Sequence, residues 1–269
     1  MSLFNPKNDR ARQLEAIKQD RLRTTVERSL RPRLEKEFRR LANSASKMYE
    51  QTGSLSSTET TINEHRQNLT RLLTRAYAIT VNKSTEYVRK EAKKVKKSIL
   101  DSYEYKEALD RVQQLLNQYI VSEAVISASN ISETSWSIIN DTIKAGMGEA
   151  LSSLVISDNI EKAVSSVAPS RALTISRTET QKAAQEAAYQ TINEIPLPPM
   201  VKVWSVVVDK RARKTHLDLR NVSKEMDENF KVGNDSMPHP AHSSGSPEEV
   251  INCRCTLTYD FKEQIKWLK

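Results

Sequence analysis

The feature that most constrains this chain is a change of period at one proline run. Upstream of Pro196-Leu197-Pro198-Pro199, apolar residues recur at helical spacing; downstream they fall into short β-rich runs. A helix does not cross such a run, because each proline removes a backbone donor and fixes φ. Composition agrees with a helical part followed by a different one. Only 5 of 269 residues are glycine and 6% are aromatic, while 28% are charged. An all-β sandwich or barrel would need more turn glycines and aromatics. The predicted fold is mainly α, with long N-terminal helices followed by a small C-terminal α+β module. The predicted division is a basic helical region over 1–165 and a second region over 166–269.

Individual elements follow from spacing. Leu14, Ile17, Val26, Leu30, Leu34, Phe38 and Leu41 mark an amphipathic helix over 8–41, with a kink or break expected near Leu30-Arg31 because of Pro32. The Ser/Thr-rich stretch 43–61, which holds Gly53, reads as a loop. A second helix is expected over 57–99, then two more over 103–127 and 132–154. Trp136 reads as a core residue beside Ile139, Ile143 and Met147; Gly146 and Gly148 weaken that helix or let a neighbour approach. After a short helical piece and Pro169, Ser170 is the expected N-cap of a helix to 193. Beyond the prolines, 201–208 and 252–259 read as strands, 210–218 as a helical turn, 220–250 as loop and 262–268 as a terminal helix.

The net charge of +8 is unevenly placed. Residues 1–100 carry 23 Lys and Arg against 11 Asp and Glu, whereas residues 101–200 carry 7 against 13. The basic excess belongs to the N-terminal part, and it suits an anionic partner such as double-stranded DNA, bound without sequence preference. Lys93, Lys94, Lys96 and Lys97 are the densest cationic cluster and the expected DNA contacts; a merely solvated helix face is the alternative. No run of apolar residues is long enough for a membrane span, so no membrane partner is expected, and the N-terminus has no apolar stretch of secretory type.

Three of four histidines and both cysteines crowd into one short window. Cys253-x-Cys255 would place two sulfurs on one face of a strand. With His216 and His242, or with His239 from the His239-x-x-His242 pair, they could complete a tetrahedral zinc site, zinc being the expected cofactor if there is one. Simple burial of two small thiols is the alternative. Asp209, Arg213 and His216, joined by Glu179, form a second constellation, readable as an active site or as an ion-pair network. Phosphate-binding loops, dinucleotide fingerprints and nucleophile elbows do not occur in the sequence.

The order of these residues carries a resemblance. Ser176-Arg177-Thr178-Glu179-Thr180 is followed by Trp204, then Asp209-x-x-x-Arg213-x-x-His216, Phe230-x-Val232-Gly233 and Asn252-Cys253-Arg254-Cys255-Thr256-Leu257. Over about residues 165–260 the chain resembles the phage head morphogenesis family, the Mu F-like minor head proteins. The resemblance implies that Arg177, Glu179, Asp209, Arg213, His216, Cys253, Arg254 and Cys255 are structural motif residues and that 166–269 is the family's module. It implies a minor capsid protein of a tailed phage or prophage, present in the host cytoplasm during assembly and then in the head interior near the portal. Expected partners are the portal, capsid or scaffold proteins, packaged DNA and a second copy of the chain. No catalytic role is expected; a capsid-carried metal-dependent nuclease or transferase is the alternative.

Overall fold

The computed structural model describes residues 2–95 and 102–262. Four long helices dominate: α1 Asp9–Thr52, α2 Glu59–Val95, α3 Tyr103–Gly148 and α4 Ser153–Glu194. Short elements follow: β1 Met200–Ser205, α5 Lys214–Leu217, β2 Ser223–Glu225, β3 Phe230–Val232, β4 Asp235–Met237, α6 Pro247–Val250 and β5 Thr256–Phe261. The mainly α class with a small strand-containing C-terminal module is therefore as expected. The helices, however, are fewer and longer.

Each difference has a local cause. α1 continues through Pro32. Pro32 and Arg28 are both exposed, so water can take the carbonyl that Pro32 leaves without a donor, while Leu30 and Leu34 stay buried. The expected loop over 43–61 shrinks, because Ala42, Ala45 and Tyr49 are buried and hold the helix to Thr52. Gly53 then ends it, taking a φ of 61° and donating its N–H to Tyr49 O at 2.7 Å. The expected break between 127 and 132 is absent. Ala128, Ile131, Ser132 and Ser135 are buried there, and Ser135 Oγ donates to Ile131 O at 3.0 Å. Likewise α4 runs through Pro169, and Ser170 is no N-cap: its hydroxyl donates to Val167 O within the helix. Ser152 stands at the start of α4 instead, accepting from Val155 N–H and Ile156 N–H. The expected terminal helix over 262–268 lies almost wholly outside the described residues.

The chain divides into two compact units, Met1–Val26 with Ala78–Tyr119 and Thr180–Lys269, and Glu27–Tyr77 with Ile120–Glu179. Every long helix contributes one portion to each.

The second of these, the helical unit, has an aliphatic core. Leu41, Ala42, Ala45, Tyr49, Ile139, Ile143, Ile156, Ile160 and Val164 are buried together, with Trp136 half-buried against them. A Cβ at Gly146 would lie 2.5 Å from Ile156 Cγ1, so this glycine is where α3 and α4 approach closely.

The first, the mixed unit, builds a three-stranded antiparallel sheet in the order β2-β1-β5. β1 and β5 pair with Trp204 opposite Leu257 and Lys202 opposite Tyr259. Ahead of α1, Leu3 O accepts from Tyr259 N–H at 3.0 Å, and Asn5 N–H donates to Tyr259 O at 2.7 Å. Phe4 stacks on Phe261 beside them. The stretch 220–250, expected to be loop, carries β2, the β3–β4 hairpin and α6. Each is only three or four residues long, too short for an alternating pattern to stand out in the sequence. Trp204, Phe230, Val232, Met237, Val250 and both cysteines form one buried cluster there.

Candidate functional site

β1 ends at Ser205, and a turn leads to Asp209, where the first polar cluster begins. Arg254 Nη2 donates to Asp209 Oδ1 at 2.6 Å, and the Arg211 backbone N–H donates to the same oxygen at 2.8 Å. The Arg254 guanidinium holds the Asp209 carboxyl well below the usual carboxylate range. Arg213 donates instead to Ile251 O. Asp209 and Arg213 thus brace the loop before β5 from two sides.

His216 sits on α5 and is buried beneath the Trp204 ring edge, with ring centroids 5.8 Å apart. Its Nδ1 lies 3.3 Å from Cys255 Sγ and 3.9 Å from Cys253 Sγ. Its Nε2 lies 3.0 Å from Glu249 Oε2, within ion-pair reach although off the line of a hydrogen bond. Thr215 Oγ1 donates to that same Glu249 oxygen at 2.8 Å. The two cysteines are buried and unbridged. They precede β5 rather than lying in it, so the strand expected from 252 begins only at Thr256. Asn252 takes a left-handed φ of 57°, which sets the bend, and Arg254 turns out to Asp209 while both sulfurs turn in. Gln181 Nε2, from α4, donates to Cys255 O at 2.6 Å and fixes the loop from the other side.

The electrostatics of this cluster are internally linked. The Cys255 thiol, as hydrogen-bond partner, favours the Cys253 thiolate against the cost of burial, and His216 adds to the effect; the Cys253 thiol is held low. Cys255 is pushed up by Cys253 and by burial. Burial disfavours the His216 imidazolium, but the hydrogen bond and charge of Cys253 outweigh it and raise its pKa. Soft sulfur donors and an imidazole converging in this way suit a soft or borderline cation.

The expected ligand set is only partly assembled. His216, Cys253 and Cys255 come together with ligand atoms within 4.8 Å of one another. His242 does not join them. It lies in a separate group with Glu186 and His239. His239 Nε2 is 2.8 Å from Glu186 Oε2, and its Nδ1 is 3.0 Å from Pro240 O. His242 stacks edge-on against His239, and burial pushes its pKa down to about 4. The loop between His242 and Cys253 explains the separation. Gly245 packs under Met237, α6 follows, and the chain reaches the cysteines only after turning away from the histidine pair. Glu249 and Glu186 escaped the sequence reading; neither belongs to a spacing motif, and only folding brings each to a histidine.

Glu179 belongs to the helical unit, where it accepts hydrogen bonds from Tyr77 OH and from Ser127 Oγ at 2.9 Å. Arg177 Nε donates to Glu27 Oε1 at 3.1 Å in the same unit. Asp209, Arg213 and His216 lie in the mixed unit and Glu179 in the helical unit. Of the expected DNA contacts, Lys93 and Lys94 lie exposed at the end of α2, and Lys94 Nζ pairs with Glu91 at 2.6 Å. Lys96 and Lys97 lie outside the described residues. Arg21, Arg28, Arg31, Arg33 and Arg39 add exposed guanidinium groups along α1.

Residues 133–258 match the model of the family described as Phage Mu protein F like protein. The chain is also similar to NAD(+)–arginine ADP-ribosyltransferase EFV of Enterococcus faecalis, at 34% identity over 89 residues. That similarity covers 32% of this chain and 18% of the relative, so the chain spans less than a fifth of that protein's length. No solved structure matches the chain.

Proposed function

We propose that this chain, which belongs through residues 133–258 to the phage Mu protein F-like family, is a minor head protein of a tailed phage or prophage, held at the portal vertex beside packaged DNA. The family match carries the reading. Two features of the molecule support it. The long helices expose apolar side chains that a partner could cover: Val121 is 62% exposed, and Val125 and Ile126 about half exposed, on one stretch of α3. In the helical unit the exposed arginines of α1 from Arg28 to Arg39, and separately in the mixed unit Lys93 and Lys94 at the end of α2, tolerate a polyphosphate neighbour. Among the described residues no helix is long and apolar enough to cross a membrane.

The decisive experiment is mass spectrometry of mature virions against empty procapsids, paired with coexpression of the chain and its cognate portal. The chain is expected in particles at low copy number and in a complex with the portal that survives size exclusion. Its absence from particles and separate elution from the portal would refute the assignment. For DNA, affinity for duplex should fall steeply with salt. Substituting Lys93, Lys94, Lys96 and Lys97 should reduce the slope by about 0.9 for each phosphate that is no longer neutralised. The similarity to an ADP-ribosyltransferase covers 18% of that protein and does not clearly favour the alternative of a capsid-carried transferase. Consumption of NAD+ by the purified chain, abolished by a single substitution that leaves assembly intact, would put that alternative first.

A further inference from the structure

We propose that His216, Cys253 and Cys255 bind one Zn²⁺ ion, with Glu249 as the carboxylate that orients the imidazole. The distances are those of a metal's ligand shell. Bond lengths of about 2.3 Å to sulfur and about 2.0–2.1 Å to imidazole nitrogen, at tetrahedral angles, place N and S about 3.6 Å apart. The observed separations from His216 Nδ1, 3.3 and 3.9 Å, bracket that value. All three ligand atoms come from buried side chains that face one point.

The surroundings are those that a metal-bound histidine needs. The second ring nitrogen of such a histidine faces a carboxylate or carbonyl, which fixes the tautomer and strengthens the ligand. Here Nε2 faces Glu249, and Glu249 is itself held by Thr215. Gly233 keeps the space: a Cβ there would lie 2.6 Å from Glu249 Oε1, and the residue has a φ of 58°. The Cys-x-Cys loop is pinned by Gln181 and by Cys253 N–H donating to Val250 O at 3.1 Å, so both sulfurs are pre-set. A cleft of about 10 Å³ borders His216 and Cys255, lined also by Arg213, Asn252 and Arg254. That is about the volume of one water beside His216 and Cys255. The Glu186–His239–His242 group is a weaker candidate, because it offers no sulfur and its His239 Nε2 is already 2.8 Å from Glu186 Oε2. Two thiolates and one imidazole select zinc over the hard cations, and bound zinc would tie α5 to the start of β5.

The test uses the full chain stripped of metal and titrated with Co²⁺, then Zn²⁺. These two cysteines are the only ones in the sequence, so any thiolate–cobalt charge-transfer band reports this site. The expected result is a tetrahedral cobalt spectrum saturating at about one ion per chain and displaced by Zn²⁺. The band should vanish in Cys253→Ser and in Cys255→Ser and persist in His242→Gln. Glu249→Gln should keep the band but weaken affinity by about 10- to 100-fold. Because a cysteine variant could fail to fold, alkylation of the two thiols in the unmodified protein is measured alongside, and Zn²⁺ should slow it at least tenfold. Absence of the band and of zinc protection in the unmodified chain would overturn the proposal. So would a band that survives loss of either cysteine, or metal binding that depends on His239 and His242 instead. These outcomes are read without reference to heads or portals, so they stand apart from the functional assignment.

Discussion

The helical unit and the mixed unit solve the same problem, burying a core, by different means. The helical unit relies on repetition: Leu, Ile and Ala at helical spacing, with polar groups sealed in pairs such as Glu37–His65 and in the Tyr77–Ser127–Glu179 group. The mixed unit has short strands and little regular backbone after Pro199. It depends on a few large or chemically special side chains: Trp204, Phe230, Lys202, two cysteines and His216. The lesson is that stability is spread thinly in one unit and concentrated in the other, and substitutions should distinguish the two.

The largest effects should come from Trp204→Ala and Phe38→Ala, one in each unit, both fully buried. Each is expected to cost about 3–5 kcal/mol in a denaturant melt. They should differ in reach. Trp204 packs on Phe230, with centroids 5.1 Å apart, and covers His216; its loss should open both thiols to a thiol reagent. Phe38 supports His65 and carries the Arg171 guanidinium 4.7 Å above its ring, so its loss should leave the thiols protected. Equal thiol exposure in the two variants would break the comparison.

A smaller effect tests how tightly the helical unit is packed. Gly146→Ala gains helix propensity but drives a methyl into Ile156. Overpacking of about 1–3 kcal/mol should outweigh a propensity gain of about 1 kcal/mol. Gly148 is the control, since a Cβ there meets nothing within 4 Å, and Gly148→Ala should be neutral or stabilising. Equal melting curves for the two variants would mean that the helices separate more easily than the packing implies.

The smallest effects are two pH slopes of different origin. In the helical unit, burial holds the His65 pKa below 6.5, against its hydrogen bond to Glu37. The unfolded chain then binds the extra proton first, so stability falls as pH drops below about 6.5. Burial would raise Glu37, but hydrogen bonds from His65 and Arg40 hold it low; its contribution is lost as pH falls further, below about 4.5. In the mixed unit, burial pushes Lys202 down to about 8 from 10.5, its ammonium donating to Met226 O and lying over Tyr189. Here the unfolded chain holds the proton longer, so stability should rise between about pH 8 and 10.5. Denaturation midpoints across pH check both slopes. His65→Gln should flatten the acid slope and Lys202→Met the alkaline one, each leaving the other intact.

Much of the helical unit was legible because burial there follows a period. Leu34, Phe38 and Leu41 lie on the apolar stripe that marks this helix in the sequence, and they are fully buried. α1 is unbroken at Pro32, α4 runs through Pro169, and the Ser-rich stretches are helical for most of their length. Serine and proline weaken an isolated helix, but in long helices buried on one side the neighbouring side chains override them. The site was legible by residue type but not by grouping. Cys253 and Cys255 are paired by adjacency and His216 by folding, whereas His242, closer to them in sequence, ends beside Glu186. Three-residue strands and a four-residue helix give no period from which such a route could be read.

The bond between Tyr259 and the backbone of Leu3 and Asn5 also orders events in time. Ribosomes release the chain from its N-terminal end, and pairings between distant positions form only after the later partner has emerged. All segments of the helical unit, down to Glu179, have emerged well before Thr256. The mixed unit must wait for β5, so Leu3 and Phe4 stay without their partners until that distant strand has been made. A nascent chain of this kind therefore carries a half-finished sheet with an open β1 edge until its last strand arrives. That interval is the natural point for a chaperone or an assembly partner to intervene.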